Sequence, residues 1–338
     1  MNRFDQRRRA VIALGAGAFA PSITLAPLSS FAQPGKLWRI GFLTLRARPP
    51  LIAADPIGRF PKGMNELGYV EGQNLAIEWR FADGDAERLN GLAAELVRLK
   101  VDVLVAAGPQ AAAAAKRATT TLPIVMVVSN DPVASGLAAS LARPGGNITG
   151  LANYSADLGP KQLEMLLAMV PKLTRVAVLV NPSNPSGAAL LKNLEGVAPK
   201  AGVKLFPVQA GTPRELDTAF GVMAREKAGG VIVALDAFFI QQQGQIVQLA
   251  AQHRLPSISA MGRGHVESGA LMSYGRNLFD QNRQLARFVD KIIKGAKPGE
   301  IPIEQPTTIE LFINKKTAQA LKLTIPQTLL ISADKVIE

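Results

Sequence analysis

From residue 37 onward, short apolar runs alternate along the chain with longer segments whose apolar residues recur every three or four positions. Short apolar runs are typical of buried strands, and the longer spacing is typical of helices that pack on one face. The runs begin at Leu37–Leu43 and recur as far as Thr308–Ile313. This regular alternation predicts parallel sheets covered by helices.

The individual elements follow from this pattern. The predicted strands are Leu37–Leu43, Asn74–Trp79, Val101–Ala106, Pro123–Val128, Ile148–Ala152, Arg175–Val180, Val203–Pro207, Gly230–Leu235, Pro256–Ser259, Ala270–Tyr274 and Thr308–Ile313. The predicted helices are Asp55–Leu67, Ala86–Leu99, Gln110–Ala118, one opened by the loop Ser129–Gly136, Leu158–Met169, Pro185–Ala198, Pro213–Glu226, Phe239–His253, Asp280–Lys294 and a short one near the C-terminus.

The alternation of predicted strands and helices begins again near residue 153, and the predicted strands are too numerous for a single sheet of ordinary size. We therefore predict two doubly wound lobes, for which a chain of 338 residues is long enough. A single barrel of eight or more βα units is the competing layout. The loops after the strands lack the clustered carboxylates, lysines or histidines of such barrels, so two lobes are favoured.

The first 33 residues have a different pattern. A cluster of three arginines (Arg7–Arg9) precedes the apolar run Ala10–Ala20, which is too short to span a bilayer, and small residues follow up to Ala32. This order predicts a signal peptide cleaved near Ala32, and hence a periplasmic protein. The segment Arg8–Ile12 fits the core of a twin-arginine signal, with the general export route as the other possibility. A basic, disordered arm is the alternative interpretation.

Composition narrows the possible partners. The sequence contains no cysteine, so it has no lipobox and we expect no lipid anchor. The net charge of +12 comes from lysines and arginines scattered along the amphipathic segments, which we interpret as solvated helix faces. We therefore expect no nucleic-acid partner.

Groups suited to catalysis are sparse in this sequence. It contains two histidines, His253 and His265, the second in a glycine-flanked loop, and it has no HExxH, GxSxG, Walker A or Cys/His motif. We predict that the protein is not an enzyme and that it has no catalytic residue, no metal site and no cofactor.

Polar residues instead follow the predicted strands, where open α/β sheets bind their ligands. Backbone N–H groups at the helix start after Gly108 suit a carboxylate or a phosphate. Helix caps and turns are the alternative role for these loops, but their equivalent positions in two lobes favour a shared cleft. The candidate ligand-binding residues are Thr44, Gly108, Gln110, Ser129, Asn130, Asp131, Tyr154, Asn181, Asn184, Asp236, Phe238 and Tyr274.

Residues Glu66–Asn74 contain GYVEGQN, and Leu122–Gly150 (LPIVMVVSNDPVASGLAASLARPGGNITG) is the most specific of several sequence blocks. These blocks resemble the periplasmic substrate-binding proteins of ABC transporters, in the family that includes tryptophan- and tyrosine-binding members. Further similar blocks are Leu92–Ala107, Arg175–Pro185, Leu271–Gly275, Asp290–Pro298, Glu304–Thr307, Leu323–Pro326 and Ala333–Glu338. The resemblance covers residues 37–338.

The resemblance implies a type I periplasmic binding fold, with two Rossmann-like lobes joined by a three-segment hinge. The first lobe would be residues 36–151 plus 276–306, and the second 152–275 plus 307–338. The hinge would lie near Ala152–Tyr154, Ser273–Gly275 and Pro306–Thr308. It also implies a monomer that carries a small-molecule ligand to an inner-membrane ABC permease with its ATPase.

The implied ligand is an amino acid or a related carboxylate, aromatic ligands included. In that case, N–H groups around Gly108, Gln110 and Ala111 would bind the carboxylate together with Ser129. Asp236, or else Asp131, would pair with the ammonium group. The remaining expected contacts are hydrogen bonds from Asn181 and Asn184, flanking contacts from Phe238 and Tyr274, and a weaker one from Thr44.

The chain departs from the family pattern at three places. Ala134 stands where members often have glycine, Arg276 stands where they often have proline, and Gln241–Gln243 replace common basic residues. The glutamines put in doubt any ligand anion that depends on those basic residues, and Arg276 is the candidate to compensate. An exported enzyme and a ligand-sensing receptor subunit are the alternative functions.

Overall fold

A computed structural model describes residues 36–128 and 130–338. The predicted signal peptide (1–33), its cleavage near Ala32 and the predicted contact of Ser129 lie outside the described residues. Within the described ranges, no helix is long and apolar enough to cross a bilayer.

The first lobe is built on a five-stranded sheet in which every strand runs parallel, in the order β2-β1-β3-β4-β5. Its elements are β1 (Trp38–Thr44), α1 (Arg59–Glu66), β2 (Leu75–Phe81), α2 (Arg88–Arg98), β3 (Val103–Ala107), α3 (Pro109–Ala118), β4 (Ile124–Val128) and β5 (Ile148–Ala152). Side chains alternate across the sheet: Phe42 packs on the α1 face, and Leu43 packs on the face covered by α2 and α3. Two apolar cores therefore cover the two faces of one sheet.

The second lobe is built on a seven-stranded sheet in the order β12-β11-β10-β9-β8-β6-β7, antiparallel only between β10 and β11. Its strands are β6 (Arg175–Val180), β7 (Lys204–Gln209), β8 (Gly230–Val233), β9 (Ser257–Ser259), β10 (Met272–Arg276), β11 (Ile309–Asn314) and β12 (Lys335–Ile337). The helices from residue 159 onward are α4 (Gly159–Met169), α5 (Ser186–Glu195), α6 (Pro213–Arg225), α7 (Ala237–Gln241), α8 (Gln243–Gln252), α9 (Arg263–Glu267), α10 (Leu278–Ile293), α11 (Lys315–Ala320) and α12 (Gln327–Ser332).

Two open sheets confirm the predicted class of two α/β lobes, and the alternative of a single closed barrel is wrong. The chain passes between the sheets three times: after β5, between β10 and α10, and between Glu304 and β11. Helix α10 lies against α1 and the first sheet, because its buried face (Leu285, Phe288, Val289) completes the core there. The helix thus returns the chain from the second lobe to the first.

The helix expected after the loop 129–136 is absent, which makes that prediction wrong. The amides of Leu137 and Ala138 both bond to the carbonyl of Pro132, and the amide of Ala139 bonds to the carbonyl of Pro144. Lys116 Nζ also binds the carbonyls of Gly136 and Leu137. These bonds occupy the carbonyls that a helix would need, so the segment forms successive turns.

The expected helix 239–253 is in fact two helices, α7 and α8, which meet at Gln242. The glycine-flanked loop around His265 is helical, as α9, and its histidine is buried. Sequence periodicity is weak over such short elements, because one helical turn shows no repeat.

Candidate ligand-binding site

A cleft between the lobes lies at the carboxyl ends of strands from both sheets. Thr44 ends β1, Ala107 ends β3 and Val128 ends β4, whereas Asp236 follows β8. The cleft has an empty volume of about 700 Å³, including the part open to solvent. Its lining residues are Thr44, Arg46, Pro56, Ile57, Ala107, Gly108, Pro109, Val127, Val128, Asn153, Asn184, Leu235, Asp236, Ala237, Ile240, Leu278, Gln281 and Asn282.

The walls of this cleft are mainly aliphatic. Ile57 and Val127 line it from the first lobe, Leu235 and Ile240 line it from the second, and Leu278 lines it from the start of α10. Among the described residues that line it, none is aromatic. The walls therefore accept an apolar group by close packing, and orientation must come from the few polar groups among them.

Asp236 is the acidic residue among those that line the cleft, and it is 2% exposed. Its Oδ1 accepts hydrogen bonds from the amides of Phe238 (2.9 Å) and Phe239 (3.3 Å), which caps the start of α7. Oδ1 also accepts from Asn181 Nδ2 (3.1 Å), and Oδ2 accepts from Asn184 Nδ2 (2.8 Å). Four donors inside the protein thus already bind this carboxylate.

Four of the predicted site residues line the cleft together: Thr44, Gly108, Asn184 and Asp236. Asn181 lies behind them and contacts Asp236. Phe238 is 5% exposed in the core of the second lobe, and the side chain of Tyr274 packs against that same core. Neither ring lines the cleft, because each is needed to fill the second lobe.

Asn130, Asp131 and Tyr154 lie outside the cleft lining. Asp131 Oδ1 accepts from the amides of Val133 and Ala134 and from the Tyr154 hydroxyl at 3.1 Å. Burial, with Asp131 adding to it, raises the pKa of Tyr154 to about 12. These residues tie the passage after β5 to a loop of the first lobe.

The start of α3 offers free backbone donors beside the cleft. Gly108 precedes the helix with φ of 107°, a conformation that favours glycine, and no side chain caps the helix. Pro109 at the first helical position has no N–H, so the first free amides belong to Gln110 and Ala111. This helix start suits a carboxylate.

Four polar residues that line the cleft were missed by the sequence reasoning: Arg46, Asn153, Gln281 and Asn282. One signal was available, since Gln281 and Asn282 occupy buried positions one turn before the apolar stripe of Leu285 and Phe288. Polar residues on the buried face of an amphipathic helix often serve a site.

Among the described residues, two hydrogen bonds join the lobes directly across the cleft. The amide of Ala47 donates to Gln241 Oε1 at 2.8 Å, and Gln110 Nε2 donates to the carbonyl of Ser183 at 3.2 Å. The side chain of Gln110 thus bonds to the second lobe and is not part of the cleft lining.

Arg276 joins all three passages between the lobes. Its Nε donates to the carbonyl of Pro306 at 2.5 Å, and its Nη1 donates to the carbonyl of Asn153. Burial lowers the pKa of this guanidinium, and nearby Asp157 acts in the opposite direction. Arg276 therefore bonds to the segments that pass between the lobes and is not among the residues that line the cleft.

In the described part of the chain, no cluster of three or more histidine, cysteine, aspartate or glutamate side chains is arranged to hold a metal ion.

Two α/β lobes around a mainly aliphatic cleft define a solute-binding protein of the type I periplasmic binding fold. The sequence profile of the ABC transporter substrate binding protein family matches residues 55–337. The chain belongs to this family, which confirms the resemblance seen in the sequence.

The chain is similar to several known proteins, two of which are named for a ligand or were solved with one. The "Tyrosine-binding protein" of Clostridioides difficile strain R20291 is 28% identical over 285 residues, which cover 84% of this chain and 81% of that protein. The ABC domain in complex with L-Trp from Streptococcus pneumonia has 26% identity and a TM-score of 0.81, over 89% of this chain and 99% of that one. The ligand-free, open structure of a substrate binding protein with adhesive properties from Clostridium difficile has 25% identity and a TM-score of 0.63, over 89% and 99%.

Proposed function

We propose that this protein is the solute-binding component of an ABC importer and that it captures an amino acid, aromatic ones included, between two closing lobes. One observation carries the proposal: the cleft at the carboxyl ends of both sheets combines aliphatic walls with buried polar atoms that have no partner in the protein. Two relatives named for binding tyrosine or solved with L-Trp support the ligand class.

Closure of the lobes is part of the proposal. Residues 36–151 with 276–306 would move as one lobe against residues 152–275 with 307–338. The present arrangement fits the L-Trp complex better than the ligand-free, open relative, at nearly equal identity and coverage. The bonds from Ala47 to Gln241 and from Gln110 to Ser183 support a closed form, which a ligand would favour by contacting both lobes.

The place of action and the partner belong to the same proposal. A signal peptide at residues 1–33 without a cysteine would release a free periplasmic protein. There it would act as a monomer and deliver its ligand to an inner-membrane permease with its ATPase. Cross-linking of the ligand-loaded protein to an ABC permease in inner-membrane vesicles of its source cell would test this partner.

Calorimetric titration with L-tryptophan and L-tyrosine, followed by the other amino acids, tests the ligand class. We expect at least one of them to bind, and a ligand at 100 times its dissociation constant adds about 2.7 kcal/mol to the free energy of unfolding. The absence of heat and of any thermal shift across all the amino acids would overturn the proposal. Turnover of a bound ligand would support an enzyme instead.

Gln241 provides a test of closure. The substitution Gln241→Ala removes the acceptor for the Ala47 amide, so the closed form should be less populated and the affinity should fall by about 3- to 10-fold. Titration measures the affinity, and small-angle scattering measures the compactness. The control Gln252→Ala, at an exposed position on α8, should match the wild type. Equal affinity of the two variants would contradict a role for this bond.

A further inference from the structure

Buried polar atoms without a partner are concentrated in the cleft. Within residues 36–128 and 130–338, nine such side-chain atoms occur, and four of them belong to residues that line this one cavity. They are Arg46 Nε, Asn153 Oδ1, Gln281 Nε2 and Asn282 Oδ1. An unpaired buried polar atom costs free energy, so a group of them in one cavity indicates a ligand that completes their bonding.

The side-chain amides of Asn153 and Gln281 form one of the two hydrogen bonds that a pair of facing amides can form. Asn153 Nδ2 donates to Gln281 Oε1 at 3.2 Å, and the remaining two atoms, Asn153 Oδ1 and Gln281 Nε2, are unpaired. In this arrangement the free ends are the acceptor oxygen of Asn153 and the donor nitrogen of Gln281. The pair therefore offers one acceptor and one donor to a ligand, on the side of the cleft where the chain passes between the lobes.

Hydrogen bonds within the protein also occupy some of the polar atoms of Asn282 and Arg46 and leave one atom of each without a partner. Asn282 Nδ2 donates to the carbonyl of Leu278 at 2.8 Å, which leaves Oδ1 as the free acceptor. Both terminal nitrogens of Arg46 donate to Asp55, at 2.8 and 2.5 Å, which leaves Nε as the free donor. The cleft thus holds two free acceptors and two free donors.

We propose that Asn153, Gln281 and Asn282 bind the zwitterionic head of an α-amino acid, an inference that rests on the proposed function. The amide oxygens of Asn153 and Asn282 accept from the ammonium group, and Gln281 Nε2 donates to the carboxylate together with Arg46 Nε. The free amides at the start of α3 are available for the second carboxylate oxygen. The ligand side chain then lies against the aliphatic walls.

Asp236 has a different role in this arrangement. Because its two oxygens already accept four hydrogen bonds, it positions Asn181, Asn184 and the start of α7. The neutral amides, whose oxygens are unoccupied, supply the direct contacts to the ammonium group.

Calorimetry with matched ligands tests this assignment. The probes are L-tryptophan, indole-3-propionate, which lacks the amino group, and tryptamine, which lacks the carboxylate. We expect Asn282→Leu to weaken L-tryptophan binding by about 10- to 100-fold and to reduce the preference for L-tryptophan over indole-3-propionate. Gln281→Met should instead reduce the preference over tryptamine, since it removes a donor to the carboxylate.

The control is Gln162→Met, which changes a buried glutamine outside the cleft lining that donates to the carbonyl of Tyr274 at 2.9 Å. Because this change affects only the structure, the variant should keep the preference for L-tryptophan over indole-3-propionate and over tryptamine.

Tight wild-type binding with unaltered preferences in Asn282→Leu and Gln281→Met would overturn the inference and leave the proposed function intact. If the wild type binds L-tyrosine and not L-tryptophan, the same series is run with L-tyrosine, tyramine and 3-(4-hydroxyphenyl)propionate. A wild type that binds no amino acid would overturn both.

Discussion

Replacing Asp236 with alanine is expected to lower the free energy of unfolding by about 3–5 kcal/mol and to weaken ligand binding as a consequence. The substitution leaves four buried donors without their acceptor: the amides of Phe238 and Phe239 and the side chains of Asn181 and Asn184. Part of this loss is that of a helix cap, which by itself contributes about 1 kcal/mol. Urea unfolding measures the stability, and calorimetry measures the affinity.

The variant Asp236→Asn separates a positioning role from direct pairing with the ligand. Its amide oxygen can still cap α7 and accept from Asn181, but its Nδ2 meets the Nδ2 donor of Asn184, so the stability should fall by about 1–3 kcal/mol and the affinity should fall little. If Asp236 paired directly with an ammonium group, loss of its charge in Asp236→Asn would weaken binding by about 2–5 kcal/mol. That second outcome would contradict the positioning role and restore the contact expected from the sequence.

Acid is expected to destabilise the protein through His265, by about 3 kcal/mol between pH 7 and pH 4. This side chain is 1% exposed, and neither ring nitrogen has a partner. Burial lowers the pKa of His265 from 6.5 to about 4. The unfolded chain therefore takes up a proton as the pH falls through 6.5, whereas the folded chain does so only near pH 4, and stability is lost across that interval.

The variant His265→Leu should flatten this part of the pH profile, because it removes the group that the unfolded chain protonates. Urea unfolding at pH 7, 6, 5 and 4.5 measures the slope. His253→Leu is the matched control, since His253 is exposed at the end of α8. Equal slopes in the wild type and His265→Leu would show that another group is responsible.

Much of the fold could be predicted because local periodicity follows burial closely. Ile148–Ala152 and Arg175–Val180 are strands with the predicted bounds, since each is an apolar run buried on both faces. Prediction was poorer at residues 137–143, where Lys116 and the carbonyl of Pro132 stabilise turns. Those contacts come from outside the segment, so its own pattern cannot show them.

The candidate site was predicted in part for a related reason. Thr44, Gly108, Asn184 and Asp236 line the cleft because strand ends can be located from the pattern, and the carboxyl ends of parallel strands meet at one edge. Phe238 stood out as an aromatic residue beside such a loop, but its ring fills the core. Position along the chain does not reveal which way a side chain packs.

The sequence by itself determined the order of strands and helices, the two α/β lobes and the family, because these depend on residue patterns along the chain. Only the tertiary structure decided which polar groups are free to bind a ligand. Asn181 and Asn184 bind Asp236, more than 50 residues away, whereas Gln281 reaches the cleft because α10 returns to the first lobe. Hydrogen-bond satisfaction depends on such distant neighbours, and only folding brings them together.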